Sequence, residues 1–126
     1  MSAPVVLIAD DEPLVVSALV REARRHGLVP VTDTTSQHVQ ELARQHQPAV
    51  IILDIQQHED GRDLLARLKQ DPLTRGARVV ILSGLEDQYI RHVCFELGAE
   101  AYEVKPVDST FMSRVARLAL EHSPQD

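Results

Sequence analysis

The sequence predicts an α/β fold, a five-stranded parallel sheet in the order 2-1-3-4-5 wound on both faces by helices. Three observations predict it. Five short runs rich in apolar and β-branched residues alternate with five helical patterns, and parallel neighbours require crossover helices of this kind. Four of the five runs are almost wholly apolar, the mark of strands covered on both faces. The second run holds Pro30, which cannot donate to a sheet ladder and so belongs on an edge strand. Among the common doubly wound orders, 2-1-3-4-5 puts the second strand at an edge.

The elements follow in order. VVLIA (5–9) is the first strand, and it stops at the acidic run Asp10, Asp11 and Glu12. A helix follows with Val15, Ala18, Leu19 and Ala23 on one stripe, opened by Pro13 and closed by Gly27. LVPV (28–31) is the second strand, and Val39, Leu42 and Ala43 mark the second helix. AVIIL (49–53) runs into Asp54, and Leu64, Leu65 and Leu68 form the third helical stripe. RVVIL (78–82) runs into Ser83 and is followed by Ile90, Val93, Cys94 and Leu97 at helical spacing. AYEV (101–104) leads to Lys105 and Pro106, and the last helix, from about Asp108, carries Phe111, Val115 and Leu118. All five glycines (27, 61, 76, 84 and 98) fall between elements.

Composition narrows the function classes. A chain of 126 residues is one domain, 1–126, large enough for a real core. The net charge of −6, with 11 arginines and two lysines scattered along the chain, argues against a nucleic-acid surface. Arg21, Arg24 and Arg25 share one helix and read as a solvated face. No basic leader precedes the first apolar run, and no run approaches the roughly 18 residues of a membrane span. Cys94 is single and sits on an apolar stripe, which excludes a disulfide framework and fits a reducing cytoplasm. The six histidines do not pair at zinc-ligand spacing.

The chemistry collects at one edge of the sheet. In the 2-1-3-4-5 order, the crevice at the carboxyl ends of strands one and three receives Asp10, Asp11 and Asp54. Each has a bland reading alone: the first two could complement a helix dipole, and Asp54 could start a turn. Ser83-Gly84-Leu85-Glu86 reads as a capping box, and Lys105 as a lysine at a turn. Together they do not. Clustered carboxylates cannot all stay ionised without a cation, and an all-oxygen donor set fits a hard ion, Mg²⁺. Lys105 adds a compact positive charge and Ser83 a hydroxyl. Carboxylate, Mg²⁺, hydroxyl and lysine form a site for an aspartyl-phosphate.

From VVLIADDEP through VIILD and VVILSG to GAEAYEVKP, the chain resembles the receiver domain of two-component response regulators, in the flavodoxin-like (βα)5 fold. The resemblance implies that a sensor histidine kinase or phosphotransfer protein passes a phosphoryl group to Asp54. It implies Asp11 as a direct Mg²⁺ ligand, Asp10 acting mainly through water, and Gln56 lending its backbone carbonyl. Ser83 becomes the switch hydroxyl, Lys105 the phosphate contact and Tyr102 the aromatic switch. It also implies a cis peptide between Lys105 and Pro106. The chain departs from the family after Asp54: where a Met-Pro pair is usual it reads Gln57 and His58, and Gly61 comes one residue early. Ser83 stands where threonine is commoner.

The reading is of a signalling domain rather than an enzyme. A haloacid-dehalogenase-type phosphatase wants an acid two residues after its nucleophile, where Gln56 stands. A flavodoxin wants a hydroxyl- and glycine-rich loop after strand one, where acids stand. The alternative is a pseudo-receiver, an interaction domain that needs no phosphate. The expected output surface is the fourth helix, fifth strand and fifth helix, which would dock a downstream protein or a second copy. The four aromatic residues, Tyr89, Phe95, Tyr102 and Phe111, all lie after residue 88. Phe95 points well away from the stripe of Ile90, Val93, Cys94 and Leu97, so it is expected to face solvent beside Tyr102, which turns inward on phosphorylation. The chain ends in HSPQD, as a stand-alone receiver or as the first domain of a longer regulator.

Overall fold

The computed structural model describes residues 3–56 and 60–121, so Gln57 and His58 lie outside the described residues. Ten elements alternate: β1 (Val5–Ala9), α1 (Pro13–Arg25), β2 (Val29–Asp33), α2 (Val39–His46), β3 (Val50–Asp54), α3 (Gly61–Gln70), β4 (Arg78–Ser83), α4 (Gln88–Glu96), β5 (Ala101–Val104) and α5 (Phe111–Glu121). The sheet order is β2-β1-β3-β4-β5 and every pairing is parallel, as expected. Two apolar clusters sit on its opposite faces. Leu7, Ile51, Leu53, Val79 and Ile81 point to one, and Val6, Ile8, Val50, Ile52, Val80 and Leu82 to the other. That split is the two-residue strand period made visible, and it explains why the central runs are almost wholly apolar.

Pro30 sits on the edge strand for a reason the ladder makes plain. Val29 donates to Pro4 and the Asp33 carbonyl accepts from Asp10, so the odd residues of β2 bond to β1. Residue 30 therefore faces the open edge, where a missing N–H costs no ladder bond. Gly61 is needed for space: a Cβ there would lie 2.7 Å from Ile55 Cα, too close for any side chain.

One helix starts later than expected, and one local capping signal goes unused. The fifth helix begins at Phe111, three residues after the expected Asp108, because Asp108 accepts the Thr110 N–H and hydroxyl in a turn of its own. The Ser83–Glu86 capping box does not form. Ser83 is instead the last residue of β4, and Asp87 caps α4 by accepting the Ile90 N–H.

Asp71 clamps the far end of the sheet. Its carboxylate accepts the Leu73 N–H at 2.9 Å, Arg44 Nε at 2.6 Å and Gln40 Nε2 at 3.0 Å, joining α2 to the α3–β4 loop. The Leu73 amide, then Arg44 and Gln40, hold its pKa down to about 2 from an ordinary 3.8. A depressed carboxyl contributes stability above its unfolded pKa and loses it as pH falls through the folded one. Asp71→Asn is therefore expected to be less stable than the parent at pH 7, with the gap closing between about pH 4 and pH 2. Urea midpoints across that range check it, and a gap independent of pH would refute it.

Candidate functional site

The carboxyl edge of the sheet gathers the expected residues. Asp10 follows β1, Asp54 ends β3, Ser83 ends β4 and Lys105 follows β5. β3 and β4 thus run one residue further than expected and take in Asp54 and Ser83 as their last residues. The ladder carries on past them, with Ile55 N–H donating to Leu82 and Lys105 N–H to Ser83.

Lys105 is the hub. Its Nζ lies 2.8 Å from Asp10 Oδ2, 2.7 Å from Glu12 Oε1 and 3.2 Å from Asp54 Oδ2. The Lys105–Pro106 peptide before the last loop is cis, as expected. Burial pulls the Lys105 pKa down, but its contacts with Asp10 and Glu12 and the charge on Asp54 more than offset this, so the ammonium holds its proton beyond the usual 10.5. Asp10 is wholly buried. Burial pushes its carboxyl above the ordinary 3.8 and the Asp54 charge adds to that, against the Lys105 contact and the Glu12 N–H. The contact between Lys105 and Asp10 Oδ2 is close enough for an ion pair but not aligned as a hydrogen bond, which leaves that buried oxygen without a directed donor among the described residues.

A metal fits these residues. Among the described residues, Asp10, Glu12 and Asp54 bring one oxygen each to within 4.8 Å of one another. Three carboxylates against one ammonium leave the cluster at −2 (−3 + 1) when all are ionised. The donors are all oxygen, which suits a hard divalent ion. Glu12 is the member that sequence reasoning missed as a participant. Its only signal was the unbroken acidic run. Asp11, expected as a direct ligand, is exposed and outside this tight group. Gln56 is placed beside Asp54 by its own N–H, which donates to Asp54 Oδ1 at 2.9 Å.

Ser83 and Tyr102 meet at one atom. The Ser83 hydroxyl accepts the Leu85 N–H and donates to the Leu85 carbonyl at 3.0 Å, and Tyr102 Oη donates to that carbonyl at 2.9 Å. Tyr102 is therefore already inward, at 4% exposure, and is not a surface residue beside Phe95 as expected. A phenol buried in this cluster needs an acceptor, and the loop carbonyl supplies it. Phe95 is 41% exposed, as its helical angle implies. Arg91 spans the two aromatics, its guanidinium 5.5 Å from each ring centroid.

Comparison with known proteins agrees with this geometry. The family described as "Response regulator receiver domain" matches residues 6–116. The probable transcriptional regulator ycf27 of Guillardia theta is 32% identical, covering 94% of this chain and 46% of its own length. The transcriptional regulatory protein PdtaR of Mycobacterium tuberculosis is 30% identical, covering 91% of this chain and 56% of its own. The chain thus spans about half the length of the curated relatives it matches. A solved CheY-like response regulator receiver domain protein from Methanospirillum hungatei has the same fold, with a TM-score of 0.87 at 19% identity over 95% of this chain and 96% of that one. With the strand order, the acidic edge and a match running from β1 into α5, the chain belongs to the response regulator receiver domain family.

Proposed function

We propose that this domain is a phosphoacceptor that takes a phosphoryl group onto Asp54 from a sensor histidine kinase or phosphotransfer protein in the cytoplasm. The observation that carries it is the buried Asp54 carboxylate at the end of β3, flanked by Lys105 at 3.2 Å and sharing that ammonium with buried Asp10. An Asp54 oxygen attacks phosphorus, the bond from phosphorus to the donor's leaving atom breaks, and the leaving group departs with the electron pair. Lys105 keeps its proton throughout and holds positive charge against the incoming phosphoryl oxygens. Asp10, Asp11, Asp54 and the Gln56 carbonyl would hold Mg²⁺, which when bound offsets phosphate charge at the acceptor.

Switching follows from what Ser83 must give up. To reach a phosphoryl oxygen its hydroxyl leaves the Leu85 carbonyl, which Tyr102 then holds alone. Leu85 lies in the loop before α4 and buried Tyr102 lies under Arg91, so a shift of this loop changes the surface around Arg91 and Phe95. That surface is where a downstream protein or a second copy would dock. No helix among the described residues is long and apolar enough to cross a membrane.

Acetyl phosphate with Mg²⁺ is expected to add one phosphoryl group, read by intact mass. Asp54→Asn and EDTA are each expected to abolish it. Undiminished labelling of Asp54→Asn would sink the site assignment, and no labelling of the parent would favour a pseudo-receiver.

A further inference from the structure

One contact at the site remains unassigned. Gln56 Oε1 accepts the Gly84 N–H at 2.6 Å, a side-chain bridge between the loops leaving β3 and β4. The two ends of Gln56 do different things: its backbone N–H holds Asp54 Oδ1, and its side chain holds the neighbouring loop. The bridge joins residues of two cavities. Gly84 lines one of about 590 Å³ with Glu12 and Lys105, and Gln56 lines one of about 260 Å³ with Ser83 and Tyr102. A Cβ on Gly84 would meet Gln56 Oε1 at 3.0 Å and no other atom within 4 Å among the described residues, so the bridge is what crowds this glycine.

A phosphoryl group on Asp54 presents three acceptor oxygens. Three donors among the described residues of the site are engaged: Lys105 by carboxylates, the Ser83 hydroxyl by the Leu85 carbonyl, and the Gly84 N–H by Gln56. We propose that Gln56 is a latch, a positioning residue whose side-chain carbonyl holds the Gly84 N–H until a phosphoryl oxygen displaces it. The latch rests on Asp54 being the phosphoacceptor. Gln56 takes no part in bond making. It sets how much donor is needed to reach Asp54, because each binding event must first release the Gly84 amide.

The test is acetyl phosphate titration with Mg²⁺ on the parent, Gln56→Ala and Gln56→Glu, alongside hydrogen exchange at the Gly84 amide. Gln56→Ala is expected to lower the half-saturating acetyl phosphate about fivefold, the fold-change equal to one hydrogen bond of about 1 kcal/mol. Its Gly84 amide should exchange faster. Gln56→Glu keeps an acceptor at the same reach and adds a negative charge, so it should raise the half-saturating concentration above the parent's. A merely structural role for Gln56 predicts no such ordering. Normal labelling with equal half-saturation in the parent and Gln56→Ala, or an unchanged Gly84 exchange rate, overturns the latch alone. Failure of the parent to label at all overturns the Asp54 reading and the latch with it.

Discussion

Lys105→Met is expected to cost about 3 kcal/mol of folding stability at pH 8 in metal-free buffer, the lower end of the range for removing one partner of a buried ion pair. The reason is how the site is neutralised. Asp10 and Asp54 are both buried, and the Lys105 ammonium sits 2.8 and 3.2 Å from them. Methionine fills similar volume but removes the ammonium that the two carboxylates share. The loss should depend on pH, and its sign can be worked out. Burial already holds the Asp10 carboxyl above its ordinary 3.8, and removing the ammonium raises it further. A group with a raised folded pKa favours folding below its unfolded pKa and loses that contribution as pH rises through the folded value. The deficit of the variant is thus largest at pH 8 and shrinks toward pH 4, where a proton replaces the missing cation. Urea midpoints at the two pH values measure it. Equal midpoints for variant and parent at pH 8 would show that the carboxylates never relied on Lys105.

The parts of this site that local chemistry decides were legible in the sequence. Almost wholly apolar strand runs pointed to the parallel sheet, and Pro30 to its edge, because both follow from what each residue can bond. The placement of Asp10, Asp54, Ser83 and Lys105 at one edge then followed from parallel topology alone. What stayed hidden depends on contacts far apart in the chain. Glu12 meets Lys105 across 93 positions, and no local pattern marks a glutamate for that role. The Asp71 clamp reaches Gln40 and Arg44 across 31 and 27 positions. The inward Tyr102 depends on the Leu85 carbonyl, which is set by a loop path. The Ser83 capping box failed for a similar reason, since the ladder with β5 held Ser83 in the strand and left the cap to Asp87. Short-range signals predicted what could happen at each residue, and long-range pairing chose among the options.

Mg²⁺ is expected to raise the melting temperature by about 10 °C at a hundredfold excess over its dissociation constant. Linkage sets the stabilisation at about 2.7 kcal/mol for that excess, and a domain of this size gains a few degrees per kcal/mol. The residual −2 charge of the cluster is the driving force. Among the described residues one ammonium, Lys105, sits against three clustered carboxylates, so the ion meets negative charge that the fold has gathered. The misaligned contact at buried Asp10 Oδ2 adds an oxygen poorly served without it. Variants decide which acids respond. Asp11→Ala is expected to remove the shift, because the receiver family reading makes Asp11 a direct ligand. Glu12→Ala is expected to keep most of it, because Glu12 is exposed and is engaged by Lys105. The reverse pattern would move the ligand role to Glu12, the acid that the geometry places within 4.8 Å of Asp10 and Asp54. A melting temperature indifferent to Mg²⁺ in the parent would remove the metal from the site and, with it, the reason for gathering these carboxylates around Asp54.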